Sequence, residues 1–204
     1  MTEGTKWAPG SAYGPVLSPT ELYLLNPKLE LHPVLTGKLQ SFHLVFHLVS
    51  GRATGYNADS RDHDLDFAMR DEVATLPRVT ELIIICPASP WCTVVHNPNG
   101  VSLSDILGKV WKDYMEHALT EDEFSALPPP MQDRVRRSAV ERETRGNSRF
   151  MSGWGTADYP YNRCKRIDWL RDKVFFDYLE RDDEFARARL GYAAPNVFKM
   201  MLMS

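Results

Sequence analysis

The chain has 204 residues, of which 43% are hydrophobic and 11% aromatic, and carries a formal net charge of −3. That length suits one sizeable domain and that apolar share builds a core, which excludes global disorder. The mild acidity argues against a protein that seeks nucleic acid with its whole surface, since such proteins are ordinarily basic.

Residues 1–20 are rich in Gly, Pro and Ser and read as a flexible N-terminal tail, which Trp7, Tyr13 or Leu17 can dock onto the body. Residues 21–204 read as a single domain. The first fifteen residues hold no apolar signal-peptide core, and no apolar run approaches the ~20 residues that span a bilayer. The cysteines, Cys86, Cys92 and Cys164, form no CxxC pair and no even disulfide set. The expectation is a cytoplasmic or nuclear protein with no membrane partner.

LYLLNPKLELHPVL (22–35) is broken by Pro27 and Pro33, so short turns or an extended segment are expected. SFHLVFHLV (41–49) alternates Phe42, Leu44, Phe46 and Leu48 against His43, Val45, His47 and Val49, which predicts a strand. On a helix, His43 and His47 would share a face. On a strand, at a rise of ~3.3 Å per residue, they lie about 13 Å apart, too far to share one metal ion. The polar stretch 51–72 reads as a long loop, and its RDHDLD (61–66) lacks the oxygen spacing and glycine of an EF-hand. VTELIIIC (79–86) and WCTVVH (91–96) read as a hairpin joined by PASP (87–90). Cys92 is expected to be buried and inert, and its place four residues from His96 on a strand rules out a nucleophile pair.

VSLSDILGKVWKDYMEHAL (101–119) has apolar residues at helical spacing behind Ser102 or Ser104 as cap. Thr120 opens a second, shorter helix. PPP (128–130) separates it from a third at about 131–145, whose apolar stripe is Val135, Ala139 and Val140. Residues 146–161 read as a Gly- and aromatic-rich loop, KRIDWL (165–170) as a strand, and 174–191 as a helix capped by Gly191. VFKMMLM (197–203) reads as a final strand or docked terminus. The predicted fold is α+β: a small, mainly antiparallel sheet from 41–49, 79–86, 91–96 and 165–170, with helices packed on one face.

No GxSxG, HExxH or P-loop pattern occurs, so the sequence implies no cofactor and no metal, and it leans away from an enzyme. Residues 134–171 hold ten basic and four acidic side chains. Within them Arg149, Phe150, Trp154, Tyr159, Tyr161, Arg163, Lys165 and Arg166 interleave cations with rings, which suits a partner surface, single-stranded nucleic acid or a phosphorylated ligand. The leading reading is a non-enzymatic interaction module contacting partners through 134–166. The alternative is a small-molecule hydrolase or transferase in which His32, His43 or His47 acts as general base beside Asp168. Nucleic-acid or phosphorylated-ligand binding is the third reading.

Four motifs, in order, resemble an uncharacterised domain-of-unknown-function family abundant in mushroom-forming fungi. They are His32-Pro33 with Leu35, the strand Trp91 to Val95, the helix start Val101, Ser102, Asp105 and Leu107, and the box Arg166 to Leu170. The resemblance spans roughly residues 27–180. It implies a shared fold and no activity or cofactor. Such domains often carry a Trp-Asp-Leu-like strand where this chain reads Phe46-His47-Leu48, so no role is assigned to a carboxylate there.

Overall fold

The computed structural model describes residues 4–7, 14–60, 63–146 and 159–204. The first stretches run α1 (Gly4–Trp7), β1 (Val16–Leu17), α2 (Pro19–Leu25) and β2 (Glu30–Leu31). Trp7 and Leu17, within the expected tail, are both buried; Tyr13 lies outside the described residues. Pro19 and Pro27 bracket a short helix, α2. Ser18 and Glu21 cap each other's backbone N–H, Pro19 fits the first turn, and Asn26 ends the helix at φ +42° before Pro27.

The centre is a seven-stranded sheet in the order β5-β4-β3-β10-β11-β8-β9. Its members are β3 (His43–His47), β4 (Arg52–Tyr56), β5 (Leu65–Asp66), β8 (Glu81–Ile85), β9 (Cys92–His96), β10 (Phe175–Glu180) and β11 (Val197–Met203). Within this sheet, among the described residues, only β11 and β8 pair in parallel. Two small ribbons flank it: β1 with β7 (Arg78–Val79), and β2 with β6 (Thr75–Leu76). The α+β, mainly antiparallel architecture is the one the residue pattern predicts, and the 79–96 hairpin forms with Leu82 opposite Val95.

Three expected elements are corrected. KRIDWL is not a strand: Arg166–Leu170 is helix α6. Residues 174–191 are not one helix: strand β10 precedes helix α7 (Asp183–Leu190), which Gly191 does cap at φ +83°. The long loop 51–72 contains β4, β5 and a 3-10 turn at Ala68–Asp71. The three helices expected from 101 to 145 are α3 (Leu103–Met115), α4 (Glu121–Ser125) and α5 (Pro129–Gly146). Ser102 with Asp105, and Thr120 with Glu123, form reciprocal caps at the first two.

Alternation on β3 buries Phe46 and turns His43 and His47 to the opposite side. Phe46, Phe176 and Phe198 meet in the main core with Leu82, Ile84 and Ile106 of α3, each full burial stabilising by ~1.5–3 kcal/mol. A register shift in β10 between Phe176 and Tyr178 lets Phe176 and Leu179, three apart, face the same core. α7 covers the other face, where Ala186 packs with Ile85 and Val197. A second cluster, Leu119, Phe124, Leu127, Val135, Ala139, Tyr159 and Cys164, binds α4 and α5 together beside the sheet.

Candidate functional site

α5 begins on two prolines suited to a first turn and buries Val135 and Ala139, four residues apart, in the second cluster. The next residue on that side, Arg142, cannot be buried uncompensated. Its Nε and Nη2 donate to Oδ1 and Oδ2 of Asp168 at 2.8 and 3.0 Å, and Nη2 also reaches the Arg163 carbonyl at 3.2 Å. Asp168 is 1% exposed and lies in the first turn of α6, where it also accepts the Lys165 backbone N–H at 2.7 Å. Burial weakens the Arg142 cation, but the bonds and charge of Asp168 outweigh this and hold it more basic than usual. Burial, followed by the Asp168 charge, pushes the neighbouring Cys164 thiol up to about 12.

Outside this closed pair lies a cleft of about 520 Å³ between α5, α6 and the β3–β4 turn. It is lined by the apolar Val49, Ile167 and Val174, by Arg134, Arg137, Ser138 and Glu141 of α5, and by Arg171 and Asp172 just after α6. Among the described residues, Arg134, Arg137 and Arg171 make no hydrogen bond or ion pair. Arg171 is held at φ +60°, ψ −107°. The Lys173 N–H donates to the Leu170 carbonyl at 3.1 Å, so Arg171 is the first central residue of a tight turn. Those angles match the first central position of a type II′ turn, where glycine is strongly preferred.

His47 and Asp168 line this cleft together, but Asp168 has its oxygens occupied as described. His47 Nδ1 is 3.0 Å from Ser50 Oγ, and its ring packs 4.7 Å from that of Phe175. His43 is elsewhere on the strand, stacked on Tyr56 at 5.1 Å. His32 is 2% exposed and pairs through Nε2 with Glu72 Oε2 at 2.9 Å, while its Nδ1 accepts the Val34 N–H at 3.2 Å. Those two bonds select the tautomer protonated at Nε2, and burial, partly opposed by Glu72, lowers its pKa. Trp7 packs edge-on against it at 4.7 Å. The three histidines and Asp168 therefore do not assemble into one site.

Of the expected contact surface, Arg149, Phe150 and Trp154 lie outside the described residues. Tyr159 is 3% exposed, so it is core rather than surface. The Tyr161 hydroxyl donates to Glu121 at 3.3 Å, and Arg163 lies 3.8 Å from Glu143. Lys165 supplies the N–H that Asp168 accepts, and Arg166 stacks on Trp91 at 4.7 Å. Cys92, expected to be buried, is exposed at one end of edge strand β9. Among the described residues of this segment, the side chains of Arg134, Arg137 and Arg171, like the Lys165 ammonium, make no hydrogen bond or ion pair; the three arginines line the cleft, and the ring-interleaving pattern does not single them out. The signal for two of the arginines is helical: Arg134, Arg137 and Ser138 fall at positions i, i+3 and i+4 of a helix edge.

A larger cavity of about 660 Å³ opens between α3, the 3-10 turn and β4, lined by Ser104, Leu107, Gly108 and Trp111 on one side and Asp66, Phe67 and Arg70 on the other. Its charged and hydroxyl side chains are those of Asp66, Arg70 and Ser104. No curated protein and no solved structure matches the chain. Residues 44–185, which include β3 from Leu44 onward, β10 and every residue lining the cleft, match a family of unknown function. His32 with Pro33, and the central strand β11, fall outside the matched span. The chain belongs to that family, DUF6699.

Proposed function

We propose that this domain is a non-enzymatic interaction module whose partners dock through the basic segment 134–166 and the adjoining cleft. One observation carries the reading. Among the described residues, the cleft offers three guanidinium groups that make no hydrogen bond or ion pair, while its one buried carboxylate is occupied by Arg142 and the Lys165 N–H. Recognition groups are in excess and acid–base groups are not. The enzyme reading, a hydrolase or transferase, keeps one observation in its favour, that His47 and Asp168 line the same cleft. It requires a histidine nitrogen bonded to a carboxylate; His47 Nδ1 lies 3.0 Å from the Ser50 hydroxyl, and the Asp168 oxygens are taken by Arg142 and the Lys165 N–H.

A photo-crosslinker placed at Ser138, inside the cleft, tests the proposal against one placed at Tyr192, which is 49% exposed next to α7. Partner adducts are expected from Ser138 and lost in Arg134→Glu/Arg137→Glu. Adducts formed only from Tyr192, or unchanged by the double substitution, would overturn it.

A further inference from the structure

We infer that the group received by the cleft is a phosphate monoester on a protein segment; the inference rests on the interaction-module reading. The protein itself shows how much cation a carboxylate takes. Asp168 is satisfied by a single guanidinium, Arg142, in a two-bond fork of 2.8 and 3.0 Å plus one backbone N–H. Three further guanidiniums, Arg134, Arg137 and Arg171, exceed what a second carboxylate would use. A phosphate monoester brings about −1.5 to −2 charges and three strong acceptor oxygens, and the three guanidiniums and the Ser138 hydroxyl that line the cleft supply the charge and donors such a group takes.

The backbone at Arg171 supports the assignment independently. Its φ of +60° is a conformation L-residues occupy only under strain and glycine occupies freely. The Arg171 side chain is exposed and makes no hydrogen bond or ion pair among the described residues; its one recorded interaction is the attraction of its charge for the exposed Asp172 beside it, which solvent screens. A strained arginine lining a cleft with two other arginines that make no hydrogen bond or ion pair among the described residues is explained by a ligand. Glu141 and Asp172 on the same rim limit the local excess of charge, and the whole chain is at −3. That balance accepts one isolated phosphate and disfavours the continuous polyanion of a nucleic acid. The apolar lining of Val49, Ile167 and Val174 accommodates an aliphatic side chain beside the phosphorylated one.

The probe is a fluorescent peptide pool with phosphoserine fixed between positions randomised among Val, Leu and Ile, compared with its Ser and Glu twins by anisotropy. The phosphorylated pool is expected to bind at least tenfold more tightly than either twin, and Arg134→Ala/Arg137→Ala to abolish that preference. Arg171→Gly carries the sharper signature: binding falls several-fold while the melting temperature rises by about 2 °C as the turn relaxes. Equal binding of the three pools, or no binding, overturns the phosphate assignment, as does an Arg171→Gly variant that keeps full affinity. Displacement of the peptide by a thymidine 20-mer at lower concentration than by unlabelled phosphopeptide assigns the cleft to nucleic acid instead. A failed peptide assay with Ser138 adducts that still depend on Arg134 and Arg137 refutes the phosphate alone; adducts indifferent to those arginines refute the module reading itself.

Discussion

Replacing Arg142 by leucine isolates the buried ion pair behind the cleft. Arg142 has a side chain 13% exposed and Asp168 one 1% exposed, so solvent screens little of the interaction. The substitution removes both guanidinium bonds and leaves a buried carboxylate with only the Lys165 N–H. Breaking one partner of such a pair costs about 3–5 kcal/mol, because the remaining charge stays desolvated and unpaired. At roughly 2–4 °C per kcal/mol for a domain of this size, the melting point should fall by roughly 6–20 °C. Replacing both, Arg142→Leu with Asp168→Leu, removes the stranded charge. It should then cost only about 1 kcal/mol, for the lost helix cap. Urea unfolding of wild type, both single variants and the double variant closes a cycle whose coupling should exceed 2 kcal/mol. A single-variant cost below about 1 kcal/mol, or additive costs, would show that Asp168 is not buried against Arg142 and would remove the cleft's back wall.

Two glycines should respond with opposite sign. Gly108→Ala places a Cβ in open space within α3 and should stabilise by about 1 kcal/mol through helix propensity, read by urea melts. Gly55→Ala puts its Cβ 2.2 Å from the Phe42 ring and should destabilise by about 1–3 kcal/mol or more; a neutral result would mean that Phe42 does not cover β4. His32 should titrate below its ordinary 6.5, and its neutral ring should carry the proton at Nε2, as nitrogen NMR would show. Its pKa is depressed in the folded state, so its contribution to stability is present above pH 6.5 and lost as pH falls through the folded value; His32→Gln should flatten that part of the pH–stability curve. A His32 titrating at or above 6.5 would contradict the buried neutral ring.

Local pattern decided the elements whose signals lie within a few residues. Ser102 with Asp105 and Thr120 with Glu123 announce their helices because a cap is a contact three residues long. The strict alternation around Phe46 announces β3, and with it the separation of His43 from His47. KRIDWL was not legible. Ile167 and Leu170 are both buried, and in six residues a helix face and a strand face look alike; the Asp168 cap on Lys165 and the Arg142 fork decide for the helix. β10 was hidden because its register shift near Asp177 breaks the period of two that would have marked it. β4 was hidden because its small residues, Ala53 and Gly55, have weak strand propensity and are explained only by the Phe42 ring lying over Gly55.

The sequence by itself showed a basic segment and candidate rings and imidazoles, because charge and residue type are properties of the chain. Which cations are free is a property of pairing across distance. Twenty-six residues separate Arg142 from Asp168 and forty separate His32 from Glu72, and those pairings silence Asp168 and His32 as acid–base groups. What lines the cleft without a hydrogen bond or ion pair among the described residues, Arg134 and Arg137 on one helix edge with a strained Arg171, exists as a site only because α5 and α6 pack against the β3–β4 turn.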